Sequence, residues 1–209
     1  MNDIYSQGTN TCGKKDLGLW GKKWNDKSQG PSLFPSPSRN RPGFVCWHRD
    51  PDEVGTAFET RPTNVRMPIM DWEIWKIQAE LFLKGKIETF SIGIETKEDW
   101  NDPSSGNIEV CKMGLKKNDK DEIMLVILAK DRKPCEFVFK NSFLSNFYAN
   151  GNKVSDGVIS RLAAKAWINS VGETISYDIG AGHRDEAELK KAMERKSEQS
   201  SDYDDDVLM

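Results

Sequence analysis

Apolar residues along this 209-residue chain recur with two different periods, and the switches between them mark the predicted elements. Trp72, Trp75, Ala79 and Phe82, flanked by Ile74, Ile77 and Leu81, keep the helical period of about 3.6 residues, which predicts an amphipathic helix over 72–84. Asp71 stands where an N-cap accepts otherwise free amides, and Gly85 where a helix closes. A second helical pattern (Val158, Ile159, Leu162, Ala163, Ala166, Trp167, Val171) follows the opening pair Ser155 and Asp156. The rest is strand-like. The run 44–49 is stopped by Asp50, Pro51 and Asp52, and 56–61 by Pro62. Further on, 86–97, 108–115, 122–130 and 135–140 read as antiparallel strands linked by hairpins, with the most apolar run at 123–128. Residues 186–196 form a short charged helix in this reading.

The order of elements repeats. Several short strands, a basic residue with a proline, one last strand and a Trp-bearing helix occur as Arg61-Pro62, 64–67 and the helix with Trp72 and Trp75. They recur as Lys133-Pro134, 135–140 and the helix with Trp167. The expectation is an α+β fold built on an antiparallel sheet from a duplicated strands-then-helix unit. Its core spans 43–178, between an extended arm over 1–42 and a charged helix with a disordered acidic tail over 179–209.

Charge sharpens that division. The chain carries 30 basic and 33 acidic residues, net −3, but five carboxylates lie in the last thirteen positions: Glu198, Asp202, Asp204, Asp205 and Asp206. The remainder, 30 basic against 28 acidic, is net +2. The tail has almost nothing to bury and cannot fold alone. Its tip, Val207, Leu208 and Met209, is apolar, so a basic groove with a small pocket would grip it, although a purely solubilising role stays open. At the other end, Lys14, Lys15, Lys22 and Lys23 are interleaved with Trp20 and Trp24. Ammonium groups for phosphates beside indole faces for bases is what single strands require, while tryptophans that only pin the arm to the core would look the same in sequence. Arg41, Arg49, Arg61 and Trp47 add a cationic and aromatic sheet face if alternation puts them together.

Other chemistries find little support. Cys12, Cys46, Cys111 and Cys135 are widely spaced and the only histidines are His48 and His183, which argues against a zinc ribbon or a disulfide framework. Gly18 to Lys23 resembles a phosphate loop but lacks the earlier glycine and the following Ser or Thr. Glu95, Glu98, Asp99 and Asp102 carry the carboxylates a metal-dependent nuclease needs, on a loop expected to be solvated. No signal peptide or long apolar run is present, so a soluble, intracellular protein is expected, with no membrane, cofactor, metal or catalytic residue.

The tail resembles that of single-stranded-DNA-binding (SSB) proteins, in which an Asp-rich run with an apolar tip recruits replication and repair partners. Bacterial members end Pro-Phe where this chain has Leu208-Met209, which points to the phage or viral type. The strands-then-helix plan over roughly 43–172 resembles the Whirly family and the related transcriptional-coactivator fold, without the Lys-Gly-Lys-type motif of plant Whirly members. An OB-fold β-barrel is the alternative. These resemblances imply sequence-nonspecific binding of single-stranded DNA in replication, recombination or repair. The strand would be held by Lys14, Lys15, Trp20, Lys22, Lys23, Trp24, Arg41, Trp47, Arg49 and Arg61. Asp202, Asp204, Asp205, Asp206, Val207, Leu208 and Met209 would recruit replication or recombination proteins or RNA polymerase, and a homo-oligomer of the chain is an open expectation. The alternative is a transcription regulator or DNA-mimicking inhibitor acting through the tail.

Overall fold

The described strands assemble into two antiparallel meanders, each followed by a helix. The computed structural model describes residues 17–22, 30–37, 41–48, 62–99, 101–102, 104–130, 132–140 and 146–176. The first sheet runs β1 (Leu19–Trp20), β2 (Ser32–Pro35), β3 (Gly43–Trp47) and β4 (Thr63–Arg66) in that spatial order, and α1 (Ile69–Leu83) follows. The second sheet runs β5 (Phe90–Lys97), β6 (Asn107–Lys117), β7 (Ile123–Ala129) and β8 (Cys135–Val138), again in chain order. A two-stranded hairpin, β9 (Tyr148–Ala149) and β10 (Asn152–Lys153), then leads to α2, described over 156–176. The fold is therefore α+β with antiparallel sheets and two helices. Among the described residues neither four-stranded sheet closes into a barrel.

Two strands come from the stretch expected to be an arm. Leu33 of β2 pairs with Leu19 and with Cys46 and is fully buried, so part of 1–42 belongs to the core. The 56–61 run lies outside the described residues, as do 179–209.

Helix α1 buries the predicted stripe, Trp72, Trp75, Ala79 and Phe82. Its N-cap is Pro68 rather than Asp71, which sits inside the first turn; Trp72 N–H donates to Pro68 O. Proline fits because it supplies the carbonyl while having no N–H to leave orphaned. At the other end Gly85 adopts φ +69°, with Gly85 N–H donating to Phe82 O and Lys86 N–H to Leu81 O, the paired bonds of a Schellman motif. In α2 the buried apolar side chains are Ile159, Ala164, Trp167, Ile168, Val171 and Ile175, whereas Val158 and Leu162, expected in the apolar pattern, are exposed.

One core serves both halves. Phe44 of β3 packs against Trp72 of α1 and stacks on Trp167 of α2, and Trp167 also meets Phe139 just past β8. Buried aromatic pairs of this kind contribute roughly 0.5–1.5 kcal/mol each beyond area burial. Polar ties complete the frame: Trp75 Nε1–H donates to Met113 O of β6 and Trp167 Nε1–H to Leu17 O. Ser160 Oγ of α2 accepts from the Ile123 amide, which opens β7.

Candidate nucleic-acid interface

Alternation in the first sheet separates two chemistries. Leu19, Leu33, Phe44, Cys46 and Val65 face the core. Trp20, Phe34, Trp47, Asn64 and Arg66 occupy the intervening positions, so they share the outer face. Registers put Trp20, Ser32 and Trp47 in one cross-strand row and Phe34, Val45 and Asn64 in the next. Trp20 is 61% exposed and meets Phe34 edge-on at 5.7 Å. Phe34 and Trp47 are half-buried, while Asn64 and Arg66 are exposed. The stem of Arg66 crosses Gly43, its Cγ standing 3.3 Å from where a β-carbon would be.

This face runs into a groove of about 820 Å³ between β4 and the β5–β6–β7 side of the second sheet. Asn64 and Arg66 belong to both. Arg41, Arg66, Lys97, Lys130 and Arg132 line the groove against two carboxylates, Glu95 and Glu109, so its walls are net cationic. The Lys97 ammonium donates to Ser105 O at 3.0 Å, which holds it at the rim. A register shift opposite Ile94 and Glu95 bends β5 and β6 here, the usual effect of a β-bulge. Cationic walls beside exposed rings suit a flexible polyanion with stackable bases.

No protein-family model, curated protein or solved structure matches the chain. The reading of the site therefore rests on its own geometry.

Of the residues expected to hold a strand, Trp20 and Trp47 lie on the outer sheet face, Lys22 is exposed just beyond β1, and Arg41 lines the groove. Lys14, Lys15, Lys23, Trp24, Arg49 and Arg61 lie outside the described residues, as do Asp202, Asp204, Asp205, Asp206, Val207, Leu208 and Met209 of the tail. Sequence reasoning passed over Phe34, Asn64, Lys97, Lys130 and Arg132. The alternation Thr63, Asn64, Val65, Arg66 carried the signal for β4, whereas Lys97 at the end of β5 and Lys130 and Arg132 between β7 and β8 meet the first sheet only through the fold.

The acidic loop takes a structural role. Asp102 accepts from both the amide and the hydroxyl of Ser104, and Asp99 from the amide of Asn101. The Ser104 bonds hold the Asp102 carboxyl below its ordinary range. These exposed carboxylates shape a turn.

The cysteines behave differently. Cys111 is buried, and that burial, with Glu109 nearby, pushes its thiol up to about 12. Cys46 is raised further by a hydrogen bond with Cys135 and by burial. Although Cys135 is far in sequence from Cys46 and His48, the three converge in the interior.

Proposed function

We propose that this chain binds single-stranded DNA without sequence preference, laying the strand along the cationic groove and stacking bases on the outer face of the first sheet. The observation that carries this reading is the continuity of the two surfaces through Asn64 and Arg66. Phosphates would be neutralised by Arg41, Arg66 and their neighbours, and Trp20, Phe34 and Trp47 would supply the stacking platform. The order of four antiparallel strands and a helix, occurring twice, supports the Whirly-like resemblance. Met70, Ile74 and Ile77 lie exposed along one side of α1, which favours a homo-oligomer.

The tail would compete for the same cationic groove in the free protein and release its apolar tip to replication or recombination partners once DNA is bound. Fluorescence anisotropy of a labelled oligo-dT tests both parts. Full-length protein is expected to bind tightly with affinity that falls steeply as salt rises, and a protein ending at Lys196 is expected to bind more tightly still. Absence of binding by either form would overturn the proposal; equal affinity of the two forms would remove the competing role of the tail alone.

A further inference from the structure

Cys46 lies in β3 and His48 directly follows that strand, so extended alternation turns both side chains inward together. Cys135 opens β8 of the other sheet and also faces the core, pairing with Ile127. The two sulfurs and a ring nitrogen of His48 lie within 4.8 Å of one another, and all three residues are 0–1% exposed. Cys135 Sγ is 3.1 Å from His48 Nδ1, while Nε2 is 2.7 Å from Thr63 Oγ1. In the tautomer with the proton on Nε2, that N–H donates to the Thr63 hydroxyl and Nδ1 turns its lone pair toward the sulfurs. A fixed imidazole whose far nitrogen is held by a hydrogen bond is how metal-ligating histidines are oriented.

We propose that Cys46, His48 and Cys135 form a binding site for Zn²⁺ that cross-links the first sheet to the second. Tetrahedral bonds of about 2.3 Å to sulfur and 2.0–2.1 Å to nitrogen separate S from N by roughly 3.5 Å, so the Cys135–His48 pair at 3.1 Å needs to open by only a few tenths of an ångström. On binding, each thiol releases its proton to solvent and the sulfur lone pair takes its place on the metal. Two thiolates, one divalent cation and a neutral imidazole sum to zero charge, which suits a fully buried position better than uncompensated thiolates would. A tetrahedral ion keeps one further position, for water or a fourth side chain. The ligands come from two strands of different sheets, so no Cys-x-x-Cys spacing announces the site.

The test is metal analysis of full-length protein purified with reductant, together with reconstitution by Co²⁺ in place of zinc. One equivalent of zinc per chain is expected, and the cobalt form should show thiolate-to-metal charge transfer and the strong d–d absorption of tetrahedral coordination. Cys46→Ser and Cys135→Ser should each lower metal content by about tenfold or more, whereas Cys111→Ala, which alters a buried cysteine outside the cluster, should keep it. Because buried substitutions can prevent folding, the wild-type protein provides a second readout: chelation should lower Tm by roughly 10 °C or more, with recovery on Zn²⁺ but not Mg²⁺. Natively folded protein without zinc and without cobalt absorption would overturn the site. So would a Cys46–Cys135 disulfide in protein whose thiols were blocked at lysis.

Discussion

The outer faces of the two four-stranded sheets share an architecture and differ in chemistry. On the first, Trp20, Phe34 and Trp47 stand beside Asn64 and Arg66, and among the described residues neither Arg41 nor Arg66 has a carboxylate partner. On the second, the corresponding cations are matched: Lys112 sits 3.6 Å from Glu109 and Lys116 2.7 Å from Glu136. Between them lie Gly93, Gly114, Val126 and Leu128, and among the described residues no aromatic side chain occupies that face. Exposed ion pairs of this kind contribute only about 0–1 kcal/mol to stability, but they cancel the field a polyanion would feel. The first sheet thus carries exposed Trp20, Asn64 and Arg66 with no matched carboxylate among the described residues, while the cations on the second sheet's outer face are paired.

The largest effect should come from attacking that difference directly. Arg41→Glu with Arg66→Glu is expected to weaken oligo-dT binding on the order of 100-fold at moderate salt. The same pair should flatten the slope of log affinity against log salt by roughly 1.4, for two phosphate contacts at about 0.7 each. Lys112→Ala with Lys116→Ala should change affinity by less than about twofold, since those ammonium groups already have partners. Equal losses from the two double variants, read by anisotropy titration, would break the comparison. Trp20→Ala comes next. Its ring is mostly exposed, so folding should survive, and loss of one stacked base worth about 1–3 kcal/mol predicts a fall of roughly 5- to 150-fold. Phe147→Ala, an exposed ring elsewhere, should leave binding unchanged and separates stacking from general aromatic loss.

What could be read ahead of the structure follows from how local each signal is. The α1 stripe was legible because Trp72, Trp75, Ala79 and Phe82 repeat within one helix, and its Gly85 terminator because a positive φ suits glycine. Gly85→Ala has open space around the new methyl, so its expected cost of about 1 kcal/mol, read by urea denaturation, is a backbone cost alone. Strand β2 was not legible: Ser32, Leu33, Phe34 and Pro35 sit in a Ser- and Pro-rich stretch, and only pairing with Phe44 to Trp47 makes them a strand. The hairpin at Asn150 and Gly151, both with positive φ, was passed over, because its very short exposed strands carry no apolar alternation. Much of the groove was invisible for a stronger reason. Arg41 lies just before β3, Lys97 ends β5, and Lys130 and Arg132 lie between β7 and β8, so no window of sequence contains their proximity. The convergence of His48 and Cys135, 87 residues apart, is hidden in the same way.

The smallest expected effect tests whether the β6–β7 turn serves stability rather than binding. The β6–β7 turn is closed by Asn118, whose side-chain oxygen accepts from the amides of Lys120 and Glu122, while its amide donates to Glu122 Oε2 at 2.7 Å. That hydrogen bond, aided by Lys140 and Lys120 and opposed by burial, holds the Glu122 carboxyl below its ordinary value of 4.5. A carboxyl depressed on folding contributes stability above its unfolded pKa and loses it as pH falls through the folded one. Glu122→Gln keeps the shape and an acceptor for Asn118 but removes the charge. The variant should therefore be slightly less stable than wild type near pH 7, and the gap in urea midpoint should narrow as pH falls below the ordinary carboxyl value of 4.5. Its oligo-dT affinity should match wild type, because Glu122 lies away from both the aromatic face and the groove. A gap that persisted unchanged at low pH would assign the loss to packing, and altered DNA binding would extend the interface beyond the groove to the β6–β7 turn.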